Sequence, residues 1–137
     1  MTTTTGDAAT TVRKLLEAFL AGDVEAFVAN VDDNIEWNPA EHHPFLTQQY
    51  NGRDEFLNVA VAKVAEVLDG FHFAIERVLG CGNTAVSQLR YRGTVKHNGR
   101  SFDLPAVVVW EVRDGKVTRI QEYADTWAFM DAWDASR

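Results

Sequence analysis

The chain has 137 residues, 46% of them hydrophobic and 24% charged, with a formal net charge of −7. That is enough chain for one domain with a buried core. The acidic balance and the lack of a basic stripe argue against nucleic acid as a partner. The single Cys81 excludes an internal disulfide and a thiolate metal cage.

Residues 1–9 read as a frayed tail and residues 10–137 as one domain. Met1 to Thr10 is Thr-rich, with neither a basic start nor an apolar run, so it does not read as a signal peptide. No stretch approaches membrane-spanning length, and the cytoplasm is the expected compartment. Val12, Leu15, Leu16, Phe19 and Leu20 recur at helical spacing until Ala21-Gly22. Asp23 can cap a second short helix with Val24, Phe27, Val28 and Val31 on its apolar face. Asp32-Asp33-Asn34 reads as a loop, and Ile35 to Asn38 as a short strand stopped by Pro39. Ala40 to Tyr50 reads as a long irregular loop, and Asn51-Gly52 turns the chain. A third helix is expected from about Asp54 to Leu68, with Leu57, Val61, Val64 and Leu68 on one stripe, stopped by Asp69-Gly70.

The pattern then changes from helix to strand. Phe71 to Leu79 alternates, and Gly80-Cys81-Gly82-Asn83 is a turn. Thr84 to Lys96 and Arg100 to Val112 form a hairpin about Asn98-Gly99, a sequence favouring a type I′ turn. Asp114-Gly115 leads into a last strand ending at Asp125, which caps a short helix carrying Trp127, Met130 and Trp133. Helices first and then antiparallel strands give an α+β layout. Helices should pack on one face of a strongly curved antiparallel sheet, forming a cone around a pocket. Eight Phe, four Trp and three Tyr point to an apolar pocket, a dimer face, or both.

The last strand carries the main chemical signal. Period 2 sets Ile120, Glu122 and Ala124 on one face. If that face lines the pocket, Glu122 is a carboxylate in apolar surroundings, with a raised pKa and the ability to move protons. The alternative is that Arg119, Gln121, Tyr123 and Asp125 form the important face and Glu122 is exposed. Glu36 and Asn38 share a face of the first strand and are either aimed at the pocket or placed at a surface strand end. His42 and His43 sit in a loop near the expected pocket mouth, where a His can act as acid or base. Adjacent His residues without a second cluster do not suggest a metal site. Arg90 and Arg92 share one face of a central strand and Tyr91 takes the other, so only one set can enter the pocket. Trp37, Trp110 and Trp127, with Phe19, Phe27 and Phe56, are expected as core or pocket wall.

The stretches Leu16 to Asp23 with Asp32-Asp33, Tyr50-Asn51-Gly52-Arg53-Asp54, Val107 to Val117, and Glu122-Tyr123-Ala124-Asp125 resemble the nuclear-transport-factor-2-like superfamily. The resemblance is to its SnoaL-like and ketosteroid-isomerase-like branch, and it spans residues 12 to 133. It implies a cone-shaped pocket; the residues add the expectation of a cofactor-free, metal-free site for a small, mainly apolar oxygenated ligand, and of a homodimer that covers the outer face of the sheet. The isomerases' catalytic residues are lost. Their base Asp before a Pro falls on Asn38, their oxyanion Tyr on Leu15, and their protonated Asp on Val108. The limonene-epoxide-hydrolase branch has a base just ahead of the acid that starts the final helix. That maps to Glu122, followed by Asp125. Its water-holding Asn maps to Asn38, but its Tyr maps to Glu36. SnoaL-type cyclases also place an acid at the Glu122 position, while their partner His falls near Val108. The resemblance makes Glu122 the only acid with a family counterpart at a catalytic position; with the residue readings above, the expected catalytic set is Glu122, Asn38 and Glu36, with His42 or Arg90 steadying an anion. Leu15, Phe19, Phe27, Trp37, Phe56, Val108, Trp110, Ile120, Ala124 and Trp127 would form the walls. An acid/base isomerase, cyclase, dehydratase or epoxide hydrolase is one expectation; a non-catalytic binding or dimeric accessory domain is the other.

Overall fold

The computed structural model describes residues 7–134 and residue 136. Helix α1 spans Asp7–Ala21 and buries Val12, Leu15 and Leu16. It begins within the expected tail, and Ala8 and Ala9 are buried. The reason is a close approach: a Cβ placed on Gly80 would come within 2.9 Å of the Ala9 Cβ, so only glycine lets the helix lie this near the sheet. The rest of the expected tail, residues 1–6, lies outside the described residues. Helix α2 (Val24–Ala29) has the expected cap, with the Ala26 N–H donating to Asp23 Oδ1 at 3.1 Å.

Strand β1 spans Val31–Asn38 and takes in the Asp32-Asp33-Asn34 segment expected as a loop. It pairs with the two-residue strand β2 (Tyr50–Asn51). The third helix is not uniform. Helix α3 (Arg53–Glu55) passes into a π-helical stretch, Phe56–Val61, and then into α4 (Ala62–Val67). The wider winding rotates the buried stripe onto Phe56 and Ala60 instead of Leu57. Strand β3 (Leu68–Cys81) follows at once, so Asp69-Gly70 lies in a strand, at a shift in its register with β4.

Strands β4 (Thr84–Val95), β5 (Ser101–Arg113) and β6 (Lys116–Ala124) complete a six-stranded sheet ordered β2-β1-β6-β5-β4-β3. Helix α5 (Thr126–Trp133) follows, with the Ala128 N–H donating to its cap Asp125 at 3.0 Å. The sheet is curled but unclosed, and the helices pack on it to give the expected α+β cone. One pairing departs from the antiparallel expectation: β1 runs parallel to β6.

Two turns differ in type. Asp114 and Gly115 both have positive φ (52° and 75°), as a two-residue type I′ hairpin requires. At Asn98-Gly99 only Gly99 does (φ 73°), and the strands are joined by residues 96–100. Asn98 serves another purpose there. Its Nδ2 donates to the carbonyls of Ala132 and Trp133 at 2.9 and 3.1 Å, satisfying the open end of α5.

Candidate functional site

The inner face of the sheet, α1, the π-helical stretch and the 40–49 loop enclose a cavity of about 120 Å³. Its wall is aromatic and aliphatic apart from a few polar groups, of which Glu122, Tyr91 and His43 are the titratable ones. Strand alternation alone does not decide why Glu122 is there. Val117 is fully buried, and period 2 from Val117 would turn Arg119, Gln121 and Tyr123 inward. A bulge reverses this. Val112 pairs with Val117 while Glu111 pairs with Arg119, so Thr118 is the extra residue. Beyond it Ile120 and Glu122 face the cavity, and Tyr123 is exposed.

Glu122 is 5% exposed. Its Oε1 accepts the Ala40 N–H at 3.1 Å, and its Oε2 accepts the Tyr91 hydroxyl at 2.8 Å. Burial pushes its pKa up, against the smaller opposing pull of these two donors. Tyr91, itself buried beside that carboxylate, is pushed well above the usual phenol range by burial and by the Glu122 charge. No cation pairs with Glu122 among the described residues.

His43 reaches the cavity by way of a tight turn. The His43 N–H donates to the Ala40 carbonyl at 3.2 Å, and His42 between them takes a positive φ of 65°. This leaves His42 exposed and drives His43 inward to 6% exposure. Its Nδ1 accepts the backbone N–H groups of Phe45 (3.3 Å) and Leu46 (3.0 Å). Phe45 and Phe129 meet its ring edge-on, with centroids 4.6 and 5.0 Å away. Burial lowers its pKa to about 4, so the ring is neutral near pH 7.

Leu15, Phe19, Phe27, Trp37, Phe56, Val108, Trp110 and Ile120 line the cavity as expected, and the Trp110 Nε1 donates to buried Ser87 at 2.9 Å. Ala124 and Trp127 do not line it. Ala124 is half-buried near the end of β6, and Trp127 is 74% exposed because the Asp125 cap sets α5 with Phe129 and Ala132 inward.

Four of the expected catalytic side chains also lie elsewhere. Since Ile35 and Trp37 face inward, Glu36 and Asn38 face out. There Glu36 Oε2 accepts from Asn38 Nδ2 (2.9 Å) and Arg119 Nε (2.8 Å), and the two partners, the Asn38 amide first, lower its pKa. The Gln49 Nε2 donates to Asn38 Oδ1 at 2.7 Å. Arg90 is also on the outer side, its Nε 2.6 Å from Asp103 Oδ1, because its neighbour Tyr91 takes the inner side. His42 is exposed. Phe45 and Leu46 line the cavity without having been expected there, although apolar residues within an otherwise polar loop are the signal that marks them.

A model of the SnoaL-like domain matches residues 12–120. Among solved structures, an NTF2-like protein from Burkholderia thailandensis is 26% identical, with a TM-score of 0.87 over 93% of this chain and 97% of that one. TerC, co-crystallised with polyporic acid, is 23% identical, with a TM-score of 0.81 over 93% and 98% of the two chains. An LEH-like epoxide hydrolase from M. tuberculosis is 17% identical, with a TM-score of 0.71 over 92% and 88%. No curated protein gives a significant match. The matched domain, the curled sheet and its helices together show that the chain belongs to the SnoaL-like family and has the NTF2-like fold.

Proposed function

We propose that this protein is a cofactor-free acid/base enzyme acting on a small, mainly apolar, oxygenated molecule, with Glu122 carrying the proton. The observation behind this reading is a carboxylate 5% exposed on an apolar cavity wall, held by one N–H and one hydroxyl and by no cation among the described residues. Such a group keeps its proton to a higher pH than an ordinary carboxylate, which suits it to hold and hand over a proton. Tyr91 orients Oε2 and offers a hydroxyl that can follow the proton.

Water activation of the epoxide-hydrolase type draws less support. Asn38, the counterpart of that branch's water-holding residue, is committed to Glu36 and Gln49 on the outer face. Proton transfer at a carbon beside a carbonyl, or to a departing oxygen, fits this wall better. An organic ligand is also consistent with the polyporic acid with which TerC was co-crystallised. The second reading, a ligand-binding domain without turnover, is favoured by Leu15 and Val108 standing where the isomerases carry polar catalytic groups.

The two readings separate in D2O. The native protein should exchange the α-protons of cyclohexanone for deuterium faster than buffer does, as followed by NMR. Glu122→Gln should fall to the buffer rate while binding the ketone within a few-fold. A Glu122→Gln protein that exchanges at the native rate removes Glu122 from the reaction. A native protein that binds the ketone without exchanging it favours the second reading.

We also infer a two-fold dimer through the outer sheet face. Leu79 pairs with Val86 and Val86 with Val109, while Val107 pairs with exposed Tyr123, which gives a run of apolar cross-strand pairs outside the cone.

A further inference from the structure

The His43 ring borders the cavity, and both backbone donors it serves lie on one edge, at Nδ1. An acceptor at Nδ1 fixes the proton of the neutral ring on Nε2. That Nε2–H meets no hydrogen-bond partner among the described residues, although the residue is 6% exposed. Buried donors are normally paired, and one left open beside a cavity is suited to a ligand acceptor. The ring cannot easily turn away. Phe45 and Phe129 hold it edge-on, and flipping it would strip the Phe45 and Leu46 N–H groups of their acceptor.

The same turn also connects His43 to the proposed proton carrier. Ala40 gives its N–H to the Glu122 side chain and its carbonyl receives the His43 backbone N–H, so one residue anchors the carboxylate and the turn that carries His43. The cavity's size narrows the ligand further. At about 120 Å³ it is comparable to an engineered apolar cavity of about 150 Å³ that admits benzene.

The geometry points to His43 as the residue that orients the ligand, its Nε2–H donating to a carbonyl, ether or epoxide oxygen on a compact, uncharged molecule of about one six-membered ring. The assignment rests on the cavity being a ligand site, but not on Glu122 being catalytic. A neutral donor wedged between aromatic rings recognises a lone pair without attracting a charge, so a carboxylate or phosphate ester is not the expected ligand.

Two substitutions separate the two nitrogens. In His43→Asn the amide oxygen can take the place of Nδ1 and keep the loop, but the Nε2 donor is lost. In His43→Gln the amide nitrogen can take the place of Nε2, but the loop acceptor is lost. The probes are cyclohexanone and methylenecyclohexane, which share a shape and differ in the acceptor oxygen. In NMR titrations of the native protein, the His43 Nε2 resonance should move with cyclohexanone and stay in place with methylenecyclohexane. His43→Asn should weaken cyclohexanone binding at least five-fold and leave methylenecyclohexane within two-fold, and His43→Gln should recover much of the ketone affinity. Equal losses for both probes, or a stationary Nε2 resonance in the ketone complex, overturn the assignment. If the native protein takes up neither probe, the cavity is no ligand site and this assignment falls with it. Loss of deuterium exchange in Glu122→Gln is a separate readout that His43's role does not determine.

Discussion

The Tyr91 hydroxyl on β4 donates to Oε2 of Glu122 on β6 at 2.8 Å, reaching across the intervening strand β5. Both groups are buried, so neither can exchange this partner for water. Removing the hydroxyl removes one of the two interactions that hold down the Glu122 pKa. Tyr91→Phe should therefore move the Glu122 titration upward in pH, as read from its carboxyl 13C shift. It should also cost about 1–3 kcal/mol in chemical denaturation, the usual penalty for a buried acceptor deprived of its donor. An unchanged titration would mean that the hydroxyl does not control the carboxylate.

The pH dependence of stability contains two opposing contributions. Folding lowers the His43 pKa from its ordinary 6.5 to about 4, so the unfolded chain binds more protons between these values. Its contribution is fully present above pH 6.5 and is lost as pH falls toward 4. The difference of about 2.5 units corresponds to about 3 kcal/mol at most. Glu122 is raised, so the folded state binds more protons from the ordinary carboxylate range up to its folded value. Its contribution is present below that window and is lost as pH rises through it. Urea unfolding of His43→Asn should therefore show a much shallower loss of stability from pH 6.5 to 4.5 than the native protein, and Glu122→Gln should lose less stability as pH rises out of the ordinary carboxylate range. A His43→Asn curve parallel to the native one would mean that His43 does not titrate abnormally.

The interface proposed for the outer sheet face predicts an assembly state. Light scattering at micromolar concentration should return twice the 15.3 kDa chain mass. Val107→Asp, facing Tyr123 across β5 and β6, should return a single chain mass with the far-UV spectrum intact. A native mass near 15.3 kDa would remove the dimer.

Parts of this architecture are legible in the sequence because they rest on local chemistry. Asp23 and Asp125 cap helices wherever the chain goes next, and Asp114-Gly115 tolerates two positive φ angles on its own. The parallel pairing of β1 with β6 is not legible, since it joins residues far apart in sequence with no turn between them to signal it. Glu122 is legible by face, but the face itself depends on the Thr118 bulge, which adjacent sequence does not announce. Arg90 and Tyr91 are neighbours with opposite directions, and only the packed helices decide which side is inside. His42 and His43 are divided in the same way, by a single residue at φ 65°.

Asn98 joins its hairpin to the last helix, and that link is testable. Its hairpin sequence suggests a tight turn, yet the side chain closes α5 by donating to Ala132 and Trp133. Those carbonyls are at a helix C-terminus and have no intrahelical donor. The helix they end presents Phe129 to the cavity, where Phe129 packs against His43 at 5.0 Å and Phe102 at 4.8 Å. Asn98→Ala removes both bonds and also the turn bond that Asn98 Oδ1 accepts from the Arg100 N–H at 2.9 Å, while Gly99 keeps the positive φ. The expected cost is about 1–2 kcal/mol, a typical value for lost hydrogen bonds at a partly buried helix end. Hydrogen exchange should locate that loss in α5, with faster exchange at residues 129–133 and little change in β4 or β5. Asn98→Asp keeps the acceptor for the Arg100 N–H and loses only the donor to Ala132 and Trp133, so it isolates the helix closure and should still be less stable than the native protein. If Asn98→Asp is as stable as the native protein, the turn geometry alone selects asparagine and the helix closure contributes nothing.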